Sequence, residues 1–194
     1  FETLSAMTAA GATACHESIT AEEVVRRLRA GLWATLRHSS IRPDLPELLR
    51  GLREVGHSSW SRVMMTTDGS AAFYYERGHQ DYLVRLALEN GVEPVEAYRM
   101  VTLNPATYYG LDHEIGGVAP GRTADILFLE DLEDPTPVRV MSDGEFRAEN
   151  GRALAEFPQP DWKELGLGPL ADPGWRAEPG WFRVEARGPE FPVG

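Results

Sequence analysis

Short apolar runs and longer helical stripes take turns along the first half of the chain. Residues 3–10 are small and helix-compatible, and Gly11 stops them. Residues 12–15 form a short apolar run that predicts a strand ending at His16. Thr20 and Glu23 stand at the spacing of a capping box, in which a hydroxyl and a carboxylate satisfy orphan amides at a helix start. Val24, Val25 and Leu28 give that helix its apolar side, and Gly31 ends it. Residues 32–36 repeat the strand signal and run into Arg37 and His38. Asp44 and Glu47 then repeat the capping spacing ahead of a Leu45, Leu48, Leu49, Leu52 stripe. Residues 62–67 predict a third strand, ending at Asp68, and Tyr82, Leu83, Leu86 and Ala87 mark a helix closed by Gly91. Strands separated by helices in this way predict a parallel sheet, because parallel neighbours need a crossover of that length.

Pro94 suits a first helical turn, and Asn104-Pro105 begins another short helix. The pattern changes after Leu111: Gly116, Gly117, Pro120 and Gly121 make a turn-rich stretch, and residues 124–129 predict a strand. Residues 138–141, 145–148 and 152–154 form a β-meander whose turns, Asp143-Gly144 and Asn150-Gly151, tolerate positive φ. Beyond Glu156 the chain is rich in proline and carries Trp162, Trp175 and Trp181, a composition suited to an extended tail that wraps a partner subunit or leads elsewhere. Three regions result: 1–111, 112–156 and 157–194. Because Phe1 opens directly into helix-compatible sequence, the expectation is a piece of a longer chain.

With 194 residues, 42% hydrophobic and 25% charged, the chain is globular in composition. Nineteen basic against thirty acidic residues leave a formal charge of −11, the wrong sign for coating nucleic acid or an anionic membrane. No apolar run reaches the roughly 20 residues of a membrane helix. Cys15 is the sole cysteine, which excludes an internal disulfide and a Cys-rich zinc module and leaves inert core packing as its expected role.

Three predicted strand ends carry polar groups: His16 with Glu17, Arg37 with His38, and Asp68. In a β/α barrel such positions build the active site. An imidazole and a carboxylate suit a divalent metal, and the carboxylate can also take a proton from bound water. On spacing alone this is a weak signal, and surface or capping polar groups just after strands are the plainer reading. His38 and His57 are expected at the surface, and His113-Glu114, which copies the His16-Glu17 dipeptide, falls in a turn and is a decoy. Met64 and Met65 are expected as strand core, Phe73, Tyr74 and Tyr75 as packing with one ring available to a flat base, and residues 130–134 as a solvated acidic turn.

The run from Ala9 to Ser18, with Cys15-His16-Glu17 at its centre, resembles the sixth-strand region of the adenine deaminase family of the amidohydrolase superfamily. So do Arg29-Ala30-Gly31-Leu32, Arg37-His38-Ser39-Ser40, Met64-Met65-Thr66-Thr67-Asp68, Gly78-His79-Gln80-Asp81, Thr102-Leu103-Asn104-Pro105-Ala106 and Ala119-Pro120-Gly121-Arg122-Thr123-Ala124-Asp125. The resemblance implies an α/β fold: the C-terminal part of a metal-dependent hydrolase (β/α)8 barrel, strands six to eight, with part of a small accessory β-domain. It implies hydrolytic deamination of adenine or a related aminopurine, with His16 and Asp68 as metal ligands and Asp68 also as the base. Glu17 would contact the purine or carry a proton, and Arg37, Ser39 and His79 would bind substrate or stand just behind it. The implied cofactor is a divalent metal (manganese, iron or zinc), binuclear in the full-length protein, in a cytoplasmic homo-oligomer. Two departures stand out: Gly69 follows Asp68 where the family usually has a second aspartate, and the family's upstream ligands would lie before Phe1. A cyclic amide or imide hydrolase of the same superfamily, and a non-catalytic segment without the upstream ligands, are the alternatives.

Overall fold

The structure, a computed structural model, describes residues 2–154, 156, 160–166, 174–176 and 178–182. Glu2–Ala9 (α1) leads into Ala14–Cys15 (β1), which lies parallel to Trp33–Arg37 (β2), itself parallel to Val63–Thr66 (β3). Cys15 sits opposite Ala34, and Arg37 opposite Thr66, so the three strands finish close together. Ala21–Arg29 (α2) crosses from β1 to β2, and Leu45–Glu54 (α3) from β2 to β3. A short 3-10 turn, Ala72–Arg77, precedes Gln80–Glu89 (α4), Pro94–Arg99 (α5) and Leu103–Tyr109 (α6).

The period-two alternation of the strands explains the layering. Ala34, Leu36, Val63 and Met65 turn to the helices and are buried with Val24, Leu48, Leu49, Leu52 and Leu83. On the other face, Thr35 and Thr66 are only half-buried. Each fully buried leucine contributes about 1.5–3 kcal/mol through removal from water, so the helix-covered face is where the sheet gains its stability.

The two capping signals separate in the structure. Thr20 Oγ1 accepts from the Glu23 N–H at 3.3 Å, while Glu23 Oε2 accepts from the N–H of Ile19 at 2.8 Å, one residue earlier than the reciprocal bond would land. Asp44 makes no capping bond to α3; its carboxylate instead accepts from Arg42 Nε at 3.2 Å.

Asn104 explains how α6 is seated. It is buried, and its amide donates to the carbonyls of Trp60 and Val63, each at 2.7 Å, pinning the helix to the start of β3. Gly116 closes the turn that follows: its φ is +87°, and a Cβ there would stand 2.6 Å from that of Ala106.

Ile126–Phe128 (β4), Arg139–Ser142 (β5), Glu145–Glu149 (β6) and Arg152–Ala153 (β7) form an antiparallel sheet in sequence order. Asp143 and Asn150 take φ of +51° and +47° ahead of Gly144 and Gly151, as the turn pairs require. Residues 1–156 make one compact unit and 157–194 a second. In the second, Pro179–Phe182 forms a 3-10 turn and the Trp175 and Trp181 rings lie 5.6 Å apart; the expected extended tail falls largely outside the described residues. No helix among the described residues is long and apolar enough to cross a membrane.

Candidate active site

His16 follows β1 directly, Arg37 is the last residue of β2, and Asp68 lies two residues beyond β3. All three therefore stand at the C-terminal edge of the parallel sheet. Asp68 has φ of +50°, a left-handed conformation that a short polar side chain tolerates better than most. Its N–H donates to Thr66 Oγ1 at 3.0 Å and its carbonyl accepts from the Ser70 N–H at 3.0 Å, which turns the chain sharply. Ser70 Oγ donates to the Thr67 carbonyl at 2.6 Å and accepts from the Ser40 N–H at 3.2 Å. The Ala71 N–H returns the link to Ser40 Oγ at 3.1 Å, so the loops after β2 and β3 are fastened together.

Arg37 sits at the centre of the charges. Its Nη1 and Nη2 each lie 3.1 Å from a different oxygen of Glu17, a two-pronged pair. Nη1 also reaches Asp68 Oδ2 at 3.4 Å, and Nη2 lies 3.8 Å from Asp44 Oδ2. His16 Nε2 is 3.1 Å from Glu17 Oε1. A neutral ring donating there would keep its basic nitrogen at Nδ1.

The electrostatics follow from these contacts. The Arg37 hydrogen bonds hold the Glu17 carboxyl below the ordinary carboxylate range, and the backbone N–H of Gly69, helped by Arg37 and the His16 field, does the same for Asp68. Burial works against the Arg37 charge, but its bonds to Glu17 and Asp68 outweigh that and raise its pKa.

His16 and Asp68 line one cavity of about 260 Å3 with Thr35, Met64, Thr66 and Tyr108. The Tyr108 ring is edge-on to Trp33 and its hydroxyl lies 2.9 Å from Thr13 Oγ1. A larger hollow of about 580 Å3 lies between α2 and the end of α3, against Leu28, Val55 and His57, and holds none of the strand-end groups. The smaller cavity is the one that His16 and Asp68 share.

The donor set bears on a metal. Among the described residues, no group of three or more His, Cys, Asp or Glu side chains is placed to hold a metal ion. One imidazole and one carboxylate suit zinc, manganese or iron, so His16 and Asp68 fit two positions of a divalent-cation site. The remaining donors would have to come from outside these residues.

The other named residues fall in different places. Ser39 is buried, and its hydroxyl accepts from the Arg42 N–H at 3.1 Å, within a turn. His79 is exposed, stacks on Tyr75 at 5.3 Å and gives its N–H to Asp81. His38 is not a surface residue: it is buried between Tyr74 and Tyr82, and burial lowers its pKa. His57 is half-buried, edge-on to Trp60 at 5.4 Å, rather than at the surface. Tyr74 is core, its hydroxyl donating to the His38 carbonyl at 2.7 Å and its pKa pushed up to about 12 by burial, whereas Phe73 and Tyr75 are exposed. Cys15 is half-buried and polar in its contacts, with Sγ accepting from Arg27 Nε at 3.2 Å, so inert core packing does not describe it. His113 is exposed and pairs with Glu114 in the turn after α6. The sequence reading missed Asp44 as a partner of Arg37, because its spacing imitates a helix cap, and Tyr108, because it lies far from any strand end.

Comparison with known proteins bears on the family and the fold. The chain is 43% identical over 166 residues to "Putative adenine deaminase BH0637" of Halalkalibacterium halodurans, covering 86% of this chain and 29% of that protein. "Putative adenine deaminase YerA" of Bacillus subtilis is 43% identical over 169 residues, with 87% and 29% covered. "Adenine deaminase" of Moorella thermoacetica is 37% identical over 158 residues, with 81% and 26% covered. The chain thus spans under a third of the length of these curated relatives. Among solved structures, the beta-aspartyl dipeptidase of Fervidobacterium islandicum AW-1 superposes with a TM-score of 0.56 at 21% identity, over 72% of this chain and 39% of that one. An amidohydrolase superposes with a TM-score of 0.52 at 16% identity, over 78% and 43%. Both likenesses concern the fold, a partial α/β barrel. With residues 2–147 matching the family directly, the chain belongs to the amidohydrolase family.

Proposed function

We propose that this chain forms one side of the active site of a metal-dependent hydrolase that removes the amino group of adenine or a related aminopurine, giving the oxo-purine and ammonia. The observation that carries the reading is the arrangement of His16, Glu17 and Asp68 around Arg37 at one strand edge, with His16 and Asp68 on a shared cavity. The relatives named adenine deaminase support the choice of substrate.

A divalent cation held by His16, Asp68 and further donors would make a water nucleophilic near neutral pH. Asp68, kept ionised by its surroundings, is the group that would accept a proton from the attacking water as a C–O bond forms at the amino-bearing carbon. The proton then passes to the departing nitrogen as the C–N bond breaks and ammonia leaves. Glu17, also ionised, can only accept hydrogen bonds, so it faces an N–H edge of the ring.

The test is ammonia release by the protein expressed at the full length its gene encodes, loaded in turn with manganese, zinc and iron. The panel comprises adenine, N6-substituted purines, hydantoins and dihydropyrimidines. Turnover of an aminopurine is expected, with Asp68→Asn lowering kcat by about 10³-fold or more. Turnover of the cyclic amides alone would move the reaction to them, and no turnover of any would reject the reading.

A further inference from the structure

The Arg37 side chain is only 5% exposed, whereas Glu17 and Asp68 are 56% and 39% exposed. The groups a substrate can reach at this edge are therefore the carboxylates, with the guanidinium closed off behind them. Its terminal nitrogens are also committed: Nη1 to Glu17 and Asp68, Nη2 to Glu17 and towards Asp44. Asp44 is steadied in turn by Arg42 Nε at 3.2 Å, and Arg42 is held by its backbone bonds to Ser39, N–H to Oγ at 3.1 Å and carbonyl to N–H at 3.0 Å.

We infer that Arg37 is a positioning residue, which fixes Glu17 and Asp68 relative to each other, and that the Ser39–Arg42 turn and Asp44 brace it from behind. Neither Arg37 nor Ser39 then contacts the substrate. Two carboxylates left close together would repel and swing apart; a planar fork that binds one at both oxygens and touches the other sets their spacing. Lysine, a single point charge, cannot reproduce that fork. This inference rests on the reading of Glu17 and Asp68 as the groups that act on substrate.

The experiment compares Arg37→Met, Arg37→Lys and Asp44→Asn in the full-length protein, with circular dichroism to check folding. Both Arg37 variants are expected to lose about 10–100-fold in kcat, the usual cost of removing a partner that orients a ligating side chain. KM is expected to stay within about threefold, because no contact to substrate is lost. On a Glu17→Gln background, Arg37→Met should cost less than it does alone, since the tie to Glu17 is already weakened while the contact to Asp68 remains to be lost. Asp44→Asn, which keeps Arg37, should lose kcat in the same direction by about three- to tenfold, and it decides the matter should Arg37→Met fail to fold. A tenfold or greater rise in KM at unchanged kcat, or fully additive losses with Glu17→Gln, would overturn the inference.

Failure of the substrate reading is separable, because the kinetic split can be read on whichever substrate in the panel turns over. If none does, the affinity for zinc or manganese is measured by competition with a chelator. It should be about 10–100-fold weaker in Arg37→Met; equal affinity would again overturn the assignment.

Discussion

Glu17 is open to solvent, yet the guanidinium that holds it is not, and this asymmetry gives the pair a readable pH dependence. Its folded pKa, like that of Asp68, lies below the unfolded value of about 4. A depressed carboxylate stabilises the fold above its unfolded pKa, and the contribution fades as pH falls through the folded value. Wild type should therefore be more stable to urea than Glu17→Gln near neutral pH, with the midpoints converging as the solution is taken below about pH 4. Parallel curves would show that the pairing adds nothing. His38, buried and depressed for a different reason, loses stability in the window just under 6.5, so the comparison is made between variants at matched pH. The sequence pointed to His16, Glu17 and Asp68 through their places after apolar runs. It could not show that His38 is buried, because the aromatic rings that enclose it come from Tyr74 and Tyr82, beyond both α3 and β3.

At the scale of elements, the seating of α6 depends on one amide. Asn104→Ala would leave the buried Val63 carbonyl without this partner and the Trp60 carbonyl with only the Val63 N–H, at a cost of about 1–3 kcal/mol. Chemical denaturation would measure it, and a loss under about 0.5 kcal/mol, the scale of a neutral surface change, would refute the role. The sequence announced this helix through Asn104-Pro105 but gave no hint that the side chain reaches back some forty residues to β3. The same limit explains the two capping signals. Thr20 caps because nothing else among the described residues claims its hydroxyl, while Asp44, at equivalent spacing, is drawn away by Arg42 and Arg37. Local spacing predicts local bonds only where no distant partner competes.

For the whole molecule, the parallel sheet was legible because its strands alternate with amphipathic helices whose leucines all turn one way. The chemistry was legible only in part, since two donors make an incomplete coordination set. The 194-residue chain alone should therefore retain well under one equivalent of zinc or manganese after gel filtration, measured by elemental analysis. A tightly held equivalent would mean that the chain completes the site from its own residues. The left-handed backbone at Asp68 reaches further still. The replacements such a conformation accepts most readily are glycine and asparagine, and neither can take up a proton there. Glutamate, which would keep the acid, is opposed by the backbone as well as by its length. On the proposed role of Asp68, drift at this position thus runs downhill towards silent descendants of unaltered shape, which would shed that reaction long before they shed their architecture.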